Sequence, residues 1–509
     1  MKSSFQKNIV TVGGLTGISR ILGFGRDLVM AWLLGAGPVA DAFIVAFRIP
    51  NLLRRLFAEG AVSVAFVPVF NEIREREGLG KALFLARNVI TLMLLVLCAI
   101  VLIGELIAPL LVSLIAPGFL GDPIFSDTVS LTRIMFPYIL LVGMLALLTG
   151  ILNSLGHFAA PAAAPIVLNV FMISIPLLLH AMFPVFASAA DAFAWGVVLG
   201  GLAQLALQIG PLKRLNVTLK PSFHFKDTRI RQIVRLLGVA AVAASIYQIN
   251  VFIGTMLATL LPLAGSVAFL YYANRIMELP LGIFAFAVGS VMLPAMSRAS
   301  ARVDTTALSI LSGRAISTVL LFTIPASVGI YILAEPIISI LFVRGAFSTL
   351  DALLTAQALR MYALALWAIG VSRILIQALY AMQQAATVVR VSAYVLGINV
   401  VFSVILMSFL QHAGLALANS ISVFFQLLFL ARILKRNGVR LSQGYYARFG
   451  KMVLAAVLMG LCIYPFVRMR FWIAGFSLKS VSILIACIGV GAGVYFGTLL
   501  LMGIRYRQD

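Results

Sequence analysis

Long, nearly charge-free apolar blocks constrain this chain more than any other feature. Residues 82–116 and 481–502 are two of them, and each exceeds the roughly 20 residues a helix needs to cross a bilayer core. In lipid a segment must satisfy its own backbone hydrogen bonds, so such blocks fold as helices, and the alternation of a β-barrel is missing. Hydropathy over a window of about 19 residues marks about 14 spans. They lie at 8–36, 40–72, 82–116, 126–154, 161–184, 190–212, 228–260, 264–298, 305–343, 350–382, 387–410, 412–434, 446–470 and 477–503. No polar stretch between them is long enough to build a soluble domain. With 62% of the 509 residues hydrophobic and 11% charged, and a mean hydropathy of +1.09, the chain has too little polar surface for a soluble protein. The expected fold class is an all-α polytopic membrane protein.

The net charge of +22 would suggest a nucleic-acid partner in a soluble chain. Here the basic residues sit in short loops, as the positive-inside rule requires, so no nucleic acid is expected. Lys2 and Lys7, then Arg74, Arg76 and Lys81, then the run from Lys213 to Arg235, then Arg298 and Arg302, then Arg432 to Arg440, and finally Arg505 and Arg507 all fall on one side. The intervening loops at 118–127, 183–192, 261–266 and 411–414 hold no Lys or Arg, and Arg344, Arg468 and Arg470 are mild exceptions to the pattern. This threading places both termini in the cytoplasm and requires an even number of spans. The first apolar stretch, interrupted by Arg20, Arg26 and Asp27, does not read as a cleavable signal.

The basic 213–235 loop also divides the chain. A shift of 226 residues lays spans 1–2 on spans 7–8 with nine identities, among them Ala42 on Ala268, Phe43 on Phe269 and Pro68 on Pro294. Two parallel six-helix lobes are therefore expected, at 1–215 and 216–440, with the binding site between them and spans 13 and 14 (441–509) outside the duplication.

Charges inside the spans carry the functional information. Span 1 places Thr16, Ser19, Arg20, Gly23, Arg26 and Asp27 on one helical stripe. Span 2 holds Asp41, Arg48, Arg54, Arg55 and Glu59, interrupted by Pro50 and Asn51. Span 8 has Asn274, Arg275 and Glu278 before Pro280, and span 10 has Arg373 one turn from Gln377. A charged side chain at mid-membrane costs about 2.5–3.5 kcal/mol even on the lenient insertion scale, so these eleven must line a wet interior. Seven are arginines and four are acids. Arginine stays ionised and bonds phosphate oxygens two at a time. A surplus of it suits a phosphorylated headgroup better than an organic cation.

Several of these residues admit a plainer role. Arg55 and Glu59, at i and i+4, equally suit a structural pair. Asp27 and Asp41 suit orienting arginines, and Arg48 suits snorkelling to an interface. Pro50 and Pro280 suit either ordinary kinks or unwound backbone at a cavity.

Catalytic chemistry finds no motif. The four histidines are scattered, no HExxH or GxxxxGK[ST] stretch exists, and Cys98, Cys462 and Cys487 each lie in an apolar segment. No enzyme activity, metal or nucleotide cofactor is expected. Transport would then draw on the membrane potential, an ion gradient or the substrate's own gradient.

Three stretches resemble a known family. They are Ser19-Arg20-Ile21-Leu22-Gly23-Phe24-Gly25-Arg26-Asp27, the run from Asp41 through Arg48-Ile49-Pro50-Asn51-Leu52-Leu53-Arg54-Arg55 to Glu59-Gly60, and Tyr271-Tyr272-Ala273-Asn274-Arg275-Ile276-Met277-Glu278. With Phe136-Pro137-Tyr138, Pro161 to Pro165 and the span layout, they resemble the MurJ (MviN) lipid II flippases of the MOP exporter superfamily. The resemblance implies a V-shaped bundle in the bacterial inner membrane. It would carry undecaprenyl-diphosphate-linked peptidoglycan precursor to the outer leaflet by alternating access. Lipid II, membrane lipids and cell-wall synthesis proteins are the implied partners. Arg20, Arg26, Arg54 and Arg275 match the family's cavity arginines, expected to hold the diphosphate. Ser19, Asp27, Asp41, Arg48, Asn51, Arg55, Glu59 and Glu278 fall in its cavity and gating set, as do the positions of Asn274 and Arg373. Spans 13 and 14 match its groove for the polyprenyl tail. Asn274 stands where the family often has Asp, and Arg373 where it often has Lys. Spans 7, 11 and 12 hold no carboxylate inside the membrane, so no sodium site is carried over. A flippase for another isoprenoid-linked glycan, a cation-coupled drug exporter and a non-transporting scaffold are the competing readings.

Overall fold

A computed structural model describes residues 2–56, 62–182, 188–215, 217, 220–440, 443–468, 472 and 475–504. Among them every ordered element of length is a helix. Among the described residues eight helices are long and apolar enough to cross a membrane on length and composition alone, and the pair Thr349–Ala363 and Leu366–Ala381, bent by 45°, meets the same criterion taken together. The protein is a multi-pass membrane protein.

The helices fall on the apolar segments in order. Span 1 is α1 (Lys2–Leu34), and span 2 is α2 (Pro38–Leu56) followed by α3 (Val62–Glu77). Span 3 is α4 (Leu79–Leu106) with the short α5 (Ala108–Ile115) and a 3-10 turn at Pro117–Phe119. Then come α6 (Pro123–Met135) with α7 (Tyr138–Ser154), α8 (Ala159–Met182), α9 (Ala189–Arg214) and α10 (Thr228–Thr259). Span 8 is α11 (Ser266–Pro280), a π turn at Leu281–Ala285 and α12 (Phe286–Ala301). The remainder is α13 (Thr305–Phe342), α14 (Thr349–Ala363), α15 (Leu366–Ala381), α16 (Ala385–Arg436), α17 (Gln443–Val467) and α18 (Leu478–Leu501). Spans 11 and 12 share α16, whose continuity is broken only at Gln411 (φ 49, ψ −130).

The two prolines expected to break helices behave differently. Helix α2 runs through Pro50 to Leu56, so Pro50 does not interrupt it. A proline removes one hydrogen bond, and the neighbouring turns hold the rest. Pro280 ends α11 at the π turn. Its ring and missing N–H disfavour the ordinary turn, and the wider one absorbs the mismatch.

Contacts divide the chain into two compact units. The first is Met1–Leu34 with Pro38–Leu260, and the second is Gly35–Gly37 with Leu261–Asp509. The division falls one helix beyond the basic 213–235 loop, because α10 packs on α2, α3 and α5.

In the first unit, small residues let α8 and α9 approach closely, the usual basis of helix packing in lipid. A Cβ at Gly200 would lie 2.9 Å from Leu168 Cδ1, and one at Gly196 3.2 Å from the Phe171 carbonyl oxygen. Phe66, Phe70, Leu85, Leu147, Ile151 and Ile230 form a core joining α3, α4, α7 and α10. At the loop end of α3, Glu77 bonds Lys81 (3.2 Å) and Arg229 at the start of α10. The Lys81 hydrogen bond, with Arg229 beside it, holds the Glu77 carboxyl below the usual carboxylate range, outweighing partial desolvation. A depressed carboxylate stabilises above its unfolded pKa and loses that effect as pH falls through the folded value. The tether therefore holds at neutral pH and releases only in acid.

In the second unit, α17 and α18 pack on each other and on α13. Tyr272, Phe342 and Phe347 form a buried aromatic cluster, and the Tyr272 hydroxyl donates to the Gly35 carbonyl at 3.0 Å.

Candidate functional site

The first unit gathers the α1 charges around Arg26. Its Nε and Nη2 both donate to Oδ1 of Asp27, at 3.1 and 2.7 Å. The pair is well shielded, with side-chain exposures of 11% for Arg26 and 3% for Asp27. A second tie comes from α8. Arg26 Nη1 donates to Asn169 Oδ1 at 3.3 Å and approaches the Met172 sulfur at 3.9 Å. Asn169 Nδ2 in turn donates to the Ser19 carbonyl at 3.1 Å. Gly23 leaves room for this contact, since a Cβ there would already touch Asn169 at 3.5 Å. Ser19 thus contributes its backbone to the cluster, while Arg20 is exposed on the same helix.

On α2, Asp41 is buried in the first turn, where the positive end of the helix favours a carboxylate. Arg48 reaches α10, donating to the Thr255 hydroxyl and to the Val251 carbonyl at 3.2 Å. Both of these acceptors are neutral and belong to its own unit. Asn51 is half-buried one turn further on. Arg54 and Arg55 belong to α2, but their side chains lie outside the described residues, as does Glu59.

The second unit has its own charged group. Arg275 Nη1 bonds Glu278 Oε2 at 3.2 Å, and Glu278 Oε1 accepts from Asn274 Nδ2 at 3.1 Å. The guanidinium lies 4.9 Å from the Tyr271 ring centroid and donates to that residue's hydroxyl at 3.1 Å. Such cation–π contact adds about 0.5–1 kcal/mol at an exposed site, and this one is only partly buried, at 30% for Arg275 and 43% for Glu278. Arg373 is exposed on α15. One turn on, Gln377 lies against Gly289 of α12, where an added Cβ would sit 2.3 Å from its Nε2.

That close approach has a measurable consequence. Gly289→Ala is expected to cost about 1 kcal/mol as the Gln377 amide is displaced, a small overpacking penalty. Adding Gln377→Ala should abolish the penalty. A double-mutant cycle on thermal unfolding checks this, and strictly additive effects would show that the two residues do not touch.

Sequence reasoning found the charged residues and missed their partners. Asn169, Thr255 and Tyr271 are polar or aromatic residues in apolar helices, which was the available signal. Arg26 and Arg275 are each matched by an acid on their own helix. Both matched pairs present a guanidinium whose charge is compensated by a neighbouring carboxylate.

The sequence model of the family described as lipid II flippase MurJ matches residues 30–482. A probable lipid II flippase MurJ of Rhizobium tropici is 35% identical, over 98% of this chain and 95% of the relative. Its counterpart from Vibrio cholerae is also 35% identical, over 99% and 97%. Among solved structures, a lipid II flippase MurJ in an inward closed conformation superposes with a TM-score of 0.81 at 26% identity, covering 97% of this chain and 98% of that one. An inward-facing MATE multidrug transporter of the MOP superfamily shares the fold alone, with a TM-score of 0.67 at 14% identity over 82% and 95%. Matched from α1 to α18 by family pattern, by relatives and by a solved member's fold, the chain belongs to the lipid II flippase MurJ family.

Proposed function

We propose that the protein is a lipid II flippase, a transporter and not an enzyme, working in the bacterial cytoplasmic membrane with both termini in the cytoplasm. It moves the diphosphate-linked precursor from the inner to the outer leaflet by alternating access. The membrane potential or an ion gradient supplies the drive, and α17 with α18 offers the polyprenyl tail an apolar face.

The observation that carries this reading is Arg26, a guanidinium held in an apolar helix pair by Asp27 and Asn169. A carboxylate brings one negative charge, and a diphosphate brings more. The substrate can therefore take the guanidinium from Asp27 without leaving the arginine uncompensated before or after the event. Arg275 with Glu278 repeats the device, and Arg20, Arg48, Arg54 and Arg373 add positive potential. Release is favoured because the displaced carboxylate competes to return.

Reconstitution tests it. In proteoliposomes carrying fluorescent lipid II, the wild type should move label into the protected leaflet faster than empty liposomes do, and should discriminate against an isoprenoid-diphosphate glycan without the peptide. Equal rates for both substrates would reassign the protein to another isoprenoid-linked glycan.

A further inference from the structure

A second cationic site is built from residues other than the α1, α2 and α11 charges. In the second unit, one face of α13 and the start of α17 enclose a cavity of about 520 Å³. Arg314, Arg440 and Arg448 line it together with the hydroxyl side chains of Thr305, Thr306 and Ser317. Thr306, Gly313, Arg314 and Ser317 recur at helical spacing, so a single face of α13 supplies one wall. The opposite wall comes from Gly438 and Arg440 and from Gly444, Tyr445 and Arg448 at the start of α17. Arg440 is fixed there by its backbone N–H, which donates to Ser309 Oγ at 3.1 Å.

Among the described residues no carboxylate lines the cavity. Asp304, the nearest acid in sequence, caps α13 by accepting from the Ala307 N–H at 2.8 Å. Among the described residues none of the three guanidiniums makes an ion pair, in contrast to Arg26 and Arg275. Positive-inside topology needs basic residues near span ends. It does not need three of them facing one hydroxyl-lined concavity with no acid. We propose that this cavity binds a phosphate group, taken as a phosphate ester whose oxygens accept from the guanidiniums and hydroxyls.

The volume exceeds that of inorganic phosphate and suits a substituted one. Two sources share this chemistry, the headgroup of an anionic phospholipid and a soluble phosphate ester. The first is favoured because both flanking loops belong to the basic set, which on the proposed orientation faces the anionic inner leaflet.

The test uses full-length protein stripped of lipid and titrated with short-chain phosphatidylglycerol, short-chain phosphatidylcholine and glycerol phosphate. Saturable binding of phosphatidylglycerol is expected, weakened at least ten-fold in Arg314→Gln/Arg448→Gln and within a few-fold of wild type in Arg314→Lys/Arg448→Lys. Glycerol phosphate competing at similar concentrations would keep the site and assign it to soluble esters. Equal binding of phosphatidylglycerol by wild type and the glutamine variant, with both folded, would overturn the proposal. Translocation of lipid II is scored in a separate assay, so failure of either reading leaves the other standing.

Discussion

Replacing Arg26 with alanine is expected to lower lipid II translocation at least about 100-fold, since it removes a charge-assisted contact to the diphosphate and strands Asp27. Asp27 is 2% exposed. Removing one partner of a buried pair costs about 3–5 kcal/mol, because the remaining charge is left uncompensated. The single variant should therefore also unfold at lower temperature. Arg26→Ala/Asp27→Asn separates the two effects: the amide carries no charge to strand, so stability should largely return while transport stays lost. Arg26→Lys keeps the charge but cannot span Asp27 and Asn169 with a planar fork, and intermediate transport is expected. Thermal unfolding in detergent and the proteoliposome assay together decide the matter. Normal transport by the stable double variant would remove Arg26 from the substrate path.

Gly118→Ala should produce a large loss of stability. The 3-10 turn at Pro117–Phe119 lies directly against the end of α10, and a Cβ on Gly118 would sit 1.9 Å from the Thr259 carbonyl oxygen and 2.4 Å from its carbon. Both atoms are backbone, so no rotamer change relieves the overlap. Overpacking of this kind costs about 1–3 kcal/mol when side chains can yield, and the upper end or beyond is expected here. The measurable outcome is a lowered unfolding midpoint and reduced yield of folded protein. An alanine variant with the wild-type midpoint would mean that α10 and this turn are further apart.

Much of the architecture was legible because hydropathy reports directly on which segments enter lipid. Spans such as 82–116 and 477–503 needed no other information. The α1 stripe was legible too, since charge in an apolar helix is costly enough to be rare. Pairing was harder to see. That Arg26 would close on its neighbour Asp27 depends on side-chain geometry, and the contribution of Asn169 depends on α8 packing against α1 from 143 residues away. Thr255 gave the faintest signal of the three, because threonine is ordinary in a membrane helix. Pro50 misled for a physical reason: a single missing N–H weakens a helix without ending it when the flanking turns are supported. The contact division after Leu260 was hidden because loop charge reports on topology, while compactness is decided by which faces α10 buries.

The π turn at Leu281–Ala285 makes span 8 sensitive to length in a way its composition conceals. Each residue of an α-helix advances the chain by about 100°. Losing one residue while the wide turn persists would swing α12 by about that angle, carrying Gly289 away from Gln377. Residues in this stretch can thus be exchanged more safely than counted differently, because the phase between α11 and α12 is stored in their number.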